Sequence, residues 1–173
     1  MRDAVPPRQH LMELLSPPFR VKAFQLKQDL SEQGLPFAVW ETVRHPMRQA
    51  YYFTRGREYR HGKGWVVVRP DEIVTKAAPC QSPHEYGQAV DFVLDIPGEN
   101  PWEFAGYEKE WAELGFQARA LGLTWGGDWT VLRDRPHVEQ PSWRSMRPKD
   151  WKMTQHELLQ KAISLWPDVS VSR

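Results

Sequence analysis

Two histidines, each with a carboxylate nearby in the sequence, could contribute to one metal site. His84 precedes Asp91 by seven residues, and His137 follows Asp134 by three. Two imidazoles and one carboxylate are a common catalytic zinc set that leaves a fourth position open for water. Gly87 allows the chain to turn between His84 and Asp91, so both side chains can reach one point. Spacing alone is weak evidence, because a loop histidine hydrogen-bonded to a carboxylate at a strand entrance explains the same pattern.

Short strands are predicted to position these groups. They cover residues 88–96, 123–125 and 137–139. The first of them alternates in polarity and contains Asp91. Residues three apart on a regular strand point to opposite faces, so Asp134 and His137 can share a site only if the chain turns between them. Pro136 cannot donate a hydrogen bond to a sheet and is the expected place for that turn.

The remaining elements indicate the fold class. Ser16-Pro17-Pro18 starts a first helix, which Gly34 ends. Further helices are predicted over 46–59, 101–121 and 154–165, further strands over 37–43 and 73–75, and a segment that is at least partly loop over 61–71. Helices and strands do not alternate in a strict βαβ rhythm. We therefore expect an α+β fold with a small, mostly antiparallel sheet.

Length and composition exclude several classes of protein. The chain has 173 residues, enough for one domain with its own core. Its net charge of +1 lacks the excess of a dedicated nucleic-acid-binding protein, so no nucleic-acid partner is expected. The longest apolar run, residues 65–68, is far shorter than the ~20 residues of a membrane helix. Cys80 is the single cysteine, which excludes an internal disulfide and a cysteine-based zinc finger.

A more specific pattern surrounds the first histidine. Five positions form a Ser-x-His-x-x-Gly-x-Ala-x-Asp motif, namely Ser82, His84, Gly87, Ala89 and Asp91. This motif resembles the first zinc motif of the D-Ala-D-Ala-type (LAS) zinc peptidases. That group includes D,D-carboxypeptidases, D-Ala-D-Ala dipeptidases and the L-alanyl-D-glutamate endopeptidases of phage endolysins. Its second motif, a carboxylate three residues before the last ligand histidine, is matched by Asp134 and His137.

Two further stretches extend the resemblance. The sequence Trp-Gly-Gly-Asp-Trp at 125–129 is similar to the endolysin-type branch, and an arginine followed five residues later by glutamine is matched by Arg44 and Gln49. The resemblance covers about residues 37–143. It implies the LAS zinc peptidase fold in a single catalytic domain, residues 1–173, with helical extensions at both ends.

The resemblance also implies roles for particular residues. The expected zinc ligands are His84, Asp91 and His137. Asp134 is expected to accept the proton of the attacking water and pass it to the leaving amine, and Arg44 to stabilise the substrate carbonyl or oxyanion. The residues expected to contact substrate are Ser82, Gln49 and Trp129.

The leading functional hypothesis is therefore a zinc metallopeptidase that cuts the peptidoglycan stem peptide, with the L-Ala–D-Glu bond favoured. One alternative is a D-alanyl-D-alanine carboxypeptidase, because a basic subsite from Arg44, Arg48 or residues 55–63 suits either substrate. Another is a non-catalytic, zinc-containing cell-wall-binding protein. We expect a monomer that does not insert into membranes. Residues 1–7 contain no recognisable secretory signal, so a cytoplasmic protein released to the wall, or a virion-borne one, is expected.

Several neighbouring side chains have two interpretations. Glu139 shares the strand face of His137 and is either an orienting carboxylate or part of the rim. Trp125 or Trp129 is expected either to line the groove or to pack in the core. The basic run at 55–63 is either a solvated face or an attractor of anionic wall polymer. Cys80 is expected to be passive, and the tryptophans predicted to pack in the core are Trp40, Trp102 and Trp111.

Overall fold

The computed structural model describes residues 5–165 and confirms the predicted α+β class. Contacts divide the chain into two compact units. One comprises the chain up to Pro7, Arg44–Glu85 and the part from Arg147 onward, and the other comprises Arg8–Val43 and Tyr86–Met146. The outermost residues of the predicted terminal extensions, 1–4 and 166–173, lie outside the described residues.

A four-stranded antiparallel sheet organises the second unit. Its strands are β1 (Phe37–Glu41), β4 (Ala89–Leu94), β5 (Thr124–Trp125) and β6 (His137–Glu139). They lie in the order β1-β4-β6-β5. The strands predicted over 88–96, 123–125 and 137–139 therefore form, and they are neighbours in one sheet. The register pairs Asp91 with His137, which places two of the predicted ligands directly opposite each other.

Two helices cover the apolar side of this sheet. They are α1 (Pro17–Glu32) and α3 (Glu108–Ala120). The core contains fully buried aromatic and aliphatic side chains from helices and strands, including Phe19, Leu26, Phe92, Trp111, Leu114 and Val138. Burying one such side chain stabilises a fold by about 1.5–3 kcal/mol. Both helices and the sheet therefore depend on one shared core.

The first unit contains two helices and a hairpin. Its elements are α2 (Pro46–Thr54), β2 (Arg57–Arg60), β3 (Gly64–Val67) and α4 (Trp151–Leu165). Met47 and Ala50 of α2 are buried and pack with Leu158 of α4. The C-terminal helix thus covers the apolar face of α2.

The helix predicted over 46–59 is too long, and the strand predicted at 73–75 is wrong. Residues 57–59, predicted as the end of this helix, belong instead to strand β2. The reason is that the side chain of Arg57 turns inward. Its guanidinium donates to the carbonyl oxygens of Phe53 at 2.6 Å and Thr75 at 2.9 Å. These bonds satisfy the end of α2 and use a carbonyl that the predicted strand would need for pairing.

The helix predicted over 101–121 begins later, at the start of α3. Residues 101–107 form turns, in which the Glu103 carboxylate accepts two backbone N–H groups. The Glu103 carbonyl accepts the indole N–H of Trp111 at 3.0 Å. Trp102, predicted to lie in the core, is 38% exposed and lies edge-on against Trp40. Turns held by Glu103 therefore replace the first part of the predicted helix, and α3 begins at Glu108 without a side-chain cap.

The helices of residues 5–165 differ from membrane-spanning helices. None of them combines the length and apolar character that a bilayer crossing requires.

Candidate active site and metal centre

A short 3₁₀ turn, Pro83–Tyr86, presents His84. The Glu85 carboxylate holds this turn, since it accepts the backbone N–H of Cys80 at 2.8 Å and of Ser82 at 3.0 Å. Burial raises the pKa of Glu85 to about 7, although these bonds and the charge of Arg44 oppose the rise. Ser82 is itself buried, so in this conformation it belongs to the frame of the turn.

Gly87 connects this turn to β4. Its φ of +63° lies in the left-handed region that glycine adopts without strain. The Gly87 carbonyl accepts the backbone N–H of Ser16 at 3.0 Å, and Gln88 Nε2 donates to the Ser16 hydroxyl. Ser16 therefore ties the motif to the start of α1 instead of capping that helix with its side chain.

The two predicted ligands on the sheet are held by strand pairing. Asp91 lies opposite His137, and Asp91 Oδ1 is 3.0 Å from Nδ1 of His137. The Pro136 carbonyl accepts the backbone N–H of Phe92 at 2.9 Å, which continues the ladder just before β6 begins. The side chain of Asp91 is 13% exposed and that of His137 is 7% exposed. Both groups are thus withdrawn from bulk water.

His84 completes a convergent set with these two residues. One ligand atom each from His84, Asp91 and His137 lies within 4.8 Å of the other two. Two imidazoles and a carboxylate match the donors that zinc prefers in catalytic sites. His84 is 1% exposed, so this is a buried set of donors rather than a cluster of solvated side chains. The arrangement is able to bind a metal ion.

The electrostatic environment of His137 favours positive charge. Burial by itself would lower the pKa of His137, but hydrogen bonds to Asp91 and Glu139 outweigh burial and raise it to about 10. The charge of Asp134 adds to this effect. The same carboxylates would stabilise either a proton on this ring or a metal cation bound beside it.

Glu139 contacts the imidazole of His137, which is one of the two alternatives that the strand pattern left open. It lies two residues beyond His137 on β6, and its Oε2 is 3.1 Å from Nε2 of His137. Its Oε1 accepts the indole N–H of Trp143 at 3.2 Å. Burial opposes ionisation, but the bond to His137 and its charge outweigh it, so the pKa of Glu139 lies below the usual value. Sequence reasoning missed Trp143 in this role, because nothing in the local pattern links it to Glu139.

The chain does turn between Asp134 and His137. The backbone N–H of His137 donates to the Asp134 carbonyl at 3.2 Å, and the strand begins only at His137. This turn at Pro136 resolves the objection that residues three apart face opposite sides of a strand. Asp134 is half-buried, and its charge acts on the imidazole of His137.

The Trp-Gly-Gly stretch supports that turn. Trp125 is 8% exposed and donates its indole N–H to the carbonyl of Arg135 at 2.7 Å. Its indole lies so close to Gly115 and Gly127 that a Cβ at either position would overlap the rings. A Cβ on Gly126 would overlap the Asp134 carbonyl. Trp125 is therefore a packing residue that braces the segment carrying Asp134.

Trp129 has a different position from Trp125. Its ring centroid lies 5.2 Å from that of His137, and the indole is half-buried. This placement sets one face of Trp129 beside the candidate metal ligand.

Arg44 is held from two directions. Its backbone N–H donates to the His84 carbonyl at 3.1 Å, and its Nη1 donates to Gln49 Oε1 at 2.8 Å. The guanidinium lies over the ring of Tyr52, 5.2 Å from its centroid. Gln49 is fully buried and donates its own amide to the Ala77 carbonyl at 2.6 Å. Gln49 therefore positions Arg44, and substrate contact by Gln49 itself stays a prediction.

The basic run at 55–63 is not a uniformly solvated face. Arg57 is 7% exposed and bonded internally. Arg60 pairs with Glu58 at 3.5 Å, and Arg55 pairs with Glu72 at 3.9 Å. These pairs neutralise part of the charge that would attract an anionic polymer.

Cys80 is unsuited to nucleophilic catalysis. The side chain is buried, and burial raises the pKa of its thiol to about 11. The reactive form of cysteine is the thiolate. The structure therefore agrees with a passive Cys80.

Comparisons with known proteins point to one family. A family model described as D-alanyl-D-alanine carboxypeptidase, Peptidase_M15_4, matches residues 75–140. The peptidoglycan L-alanyl-D-glutamate endopeptidase CwlK of Bacillus subtilis is 31% identical over 131 residues, which is 72% of each sequence. The L-alanyl-D-glutamate peptidase of Listeria phage A118 is 28% identical over 112 residues, covering 64% of this chain and 33% of the phage protein.

A solved structure agrees with these sequence relatives. The L-Ala D-Glu endopeptidase ChiX of Serratia marcescens superposes with a TM-score of 0.50 at 27% identity, covering 79% of this chain and 87% of ChiX. The chain belongs to the M15 family of peptidases, a zinc-dependent family. The resemblance to the LAS peptidases predicted from the motifs is thereby confirmed.

Proposed function

We propose that this protein is a zinc metallopeptidase that hydrolyses the L-Ala–D-Glu bond of the peptidoglycan stem peptide. The observation that carries the proposal is the convergence of His84, Asp91 and His137 beside Asp134 in a chain of the M15 family. The names of CwlK, the phage peptidase and ChiX all specify this bond, which supports it over other bonds of the stem.

Zinc fits the donor set. His84, Asp91 and His137 would hold it, His137 through Nδ1, because its Nε2 faces Glu139. When bound, zinc polarises the scissile carbonyl and makes the attacking water more acidic. Three protein ligands suit catalysis, since a purely structural site usually closes its fourth position with another side chain.

Asp134 would act as the general base and then the general acid. An aspartate with an ordinary pKa near 3.9 is ionised at neutral pH and can take a proton from the attacking water. The same carboxyl group then gives that proton to the leaving amine. The close packing of Gly126 on the Asp134 carbonyl supports a fixed position for this group.

Arg44 would bind the substrate carbonyl and the negative charge that develops on it. A preorganised donor at such a position contributes about 2.7–4 kcal/mol to transition-state stabilisation. Its bond to Gln49 and its place over Tyr52 restrict the guanidinium before substrate arrives. Trp129, beside His137, would supply an apolar wall for the stem peptide. Ser82 would act through the turn that presents His84, or through substrate directly.

The competing activity is D-alanyl-D-alanine carboxypeptidase, which is the description of the matching family model. The two activities leave different products. Cleavage of L-Ala–D-Glu exposes a new amino group on glutamate, whereas a carboxypeptidase releases free D-alanine and shortens the stem by one residue.

Digestion of purified peptidoglycan, followed by mass spectrometry of the termini, distinguishes these outcomes. We expect the glutamate amino terminus with zinc-loaded wild type and none with Asp134→Asn. Free D-alanine would instead identify the carboxypeptidase. Absence of cleavage in every peptidoglycan chemotype, with zinc bound, would support the non-catalytic wall-binding protein.

We further propose that the protein acts at the cell wall as a monomer with one catalytic domain. The wall is where the substrate named for its relatives is found. Light scattering during size-exclusion chromatography tests the oligomeric state directly.

A further inference from the structure

The imidazole of His137 is held at both nitrogens by carboxylates. Nδ1 lies 3.0 Å from Asp91 Oδ1, and Nε2 lies 3.1 Å from Glu139 Oε2. Asp91 belongs to the candidate metal set, but Glu139 does not. The ring therefore has one nitrogen facing the metal set and one facing a group outside it.

Glu139 is itself restricted on its other oxygen. Trp143 Nε1 donates to Oε1 at 3.2 Å, and the Trp143 ring stacks on Tyr86 with centroids 6.1 Å apart. Glu139 is 6% exposed and Trp143 is 2% exposed, so water does not replace either bond freely. Glu139 thus faces two N–H donors, one on each oxygen.

We propose that Glu139 is a positioning residue that sets the tautomer of His137. The carboxylate accepts a hydrogen bond from Nε2–H and so favours the tautomer with its proton on Nε2. The lone pair of Nδ1 is then available on the side of Asp91, where a metal ion would bind. A ligand histidine whose other nitrogen is fixed in this way is correctly oriented and more basic. This inference rests on the proposed metal site, and it adds a chain of Trp143, Glu139 and His137 behind that site.

The two donors make Glu139→Gln an informative variant. The glutamine side chain has one acceptor oxygen and one donor NH2 group. If the oxygen faces His137, the NH2 group meets the indole N–H of Trp143. If the oxygen faces Trp143, the NH2 group faces Nε2 and donates to it. The ring proton then lies on Nδ1, and a protonated Nδ1 cannot bind a metal ion. Glutamine therefore satisfies one donor only.

Removal of the indole donor should restore the zinc affinity that Glu139→Gln loses. In Glu139→Gln combined with Trp143→Phe, the amide oxygen is free to turn toward His137 without facing another donor behind it. Phenylalanine keeps a ring against Tyr86, so the stacking surface is largely retained. A residue that merely filled space would not show this rescue.

The experiment measures zinc affinity by competition with a chelating dye, and the protonation of His137 by NMR of the full chain with 15N-labelled histidine. We expect wild type with zinc to carry its proton on Nε2. Glu139→Gln should weaken zinc binding about 10- to 100-fold. The double variant should return to within about threefold of Trp143→Phe alone. A His137→Gln spectrum assigns the resonance.

Glu103→Gln is the matched control, because it also removes a carboxylate that accepts two N–H groups, but in the turns before α3 and outside the proposed site. It should leave the His137 resonance in place. Equal zinc affinity and an unchanged resonance in Glu139→Gln would overturn the inference while the proposed function stands. A proton on Nδ1 in zinc-loaded wild type would overturn it without any variant. If wild type bound no zinc, the proposed function would fail, and the inference that rests on it would fail with it.

Discussion

Side chains of the candidate site are held in position by neighbouring residues to which we assign no catalytic role. Gln49 holds Arg44 with its oxygen and the Ala77 carbonyl with its amide. Glu85 holds the turn around His84 through backbone N–H groups. Such contacts would keep the proposed catalytic groups in place before substrate binds, which would lower the reorganisation needed during the reaction.

Asp134 provides the most direct test of catalysis. Asparagine has nearly the same shape but cannot accept a proton as a base. We expect Asp134→Asn to keep its zinc and its fold, and to hydrolyse peptidoglycan about 10²-fold or more slowly. Elemental analysis and circular dichroism provide the controls. Equal turnover in the variant would show that another group is the base, and loss of zinc would show that Asp134 is a ligand.

Gln49 tests the positioning of Arg44. Gln49→Leu keeps most of the buried volume but removes both hydrogen bonds of the amide. We expect kcat to fall by roughly tenfold with zinc content unchanged, because a less ordered guanidinium stabilises developing charge less well. Arg44→Ala should lose more activity, and the double variant little beyond Arg44→Ala. Additive losses in the double variant would show that Gln49 acts separately, for instance on substrate.

Among the elements, the stretch from β5 to β6 has the closest packing near the site. Trp125 fits between two glycines and donates to the Arg135 carbonyl, so β5, α3 and the turn before β6 are packed through one indole. Arg119 of α3 also pairs with Asp128 at 2.8 Å, although both side chains are about half exposed. An exposed pair of this kind contributes little, about 0–1 kcal/mol. The indole packing therefore matters more than the ion pair.

Gly126→Ala should disturb catalysis more than stability. Its new methyl group would overlap the Asp134 carbonyl and lie 3.1 Å from His137 Cβ, so the turn must shift. We expect a stability loss of about 1–3 kcal/mol and a fall in kcat of tenfold or more. Urea unfolding and turnover measure the two effects.

The control for this variant is Gly34→Ala. A Cβ there meets nothing within 4 Å, but the residue has a positive φ and becomes strained. It should therefore lose stability and keep its turnover. Wild-type turnover in Gly126→Ala would contradict the positioning of Asp134 by this contact.

For the molecule as a whole, metal binding and folding should be coupled. Ligands from a loop and two strands converge only in the folded chain, so zinc binds the folded state in preference to the unfolded one. At a free zinc concentration 100 times Kd, the expected stabilisation is about 2.7 kcal/mol. Thermal unfolding should shift upward by roughly 5–10 °C, and a chelator should reverse the shift.

Variants of the ligands control for unspecific effects of zinc. His84→Ala and His137→Ala should each lose both the bound zinc and the thermal shift. An equal shift in either variant would mean that zinc stabilises the protein at another place, and the ligand assignment would fail.

The local sequence was enough to predict much of the fold and the local structure around the candidate site residues. Residues 82–91 lie close together in the chain, so their types and spacing indicate a turn followed by a strand. The chain reversal at Pro136 was also predictable, because proline and the three-residue spacing restrict the local geometry. Fold class and family follow from such short-range patterns, and both are confirmed.

Tertiary structure decided the contacts between residues far apart in the chain. Arg57 leaves the helical pattern because its guanidinium reaches Thr75, and no local propensity encodes that distance. Trp125 is a packing residue because Gly115, ten residues earlier on α3, leaves room for its indole. The sequence by itself therefore determined which groups are proposed to carry the chemistry, since that proposal follows from their types and local spacing. Only the folded chain decided which partners hold them, because buried hydrogen bonds and close packing depend on long-range approach.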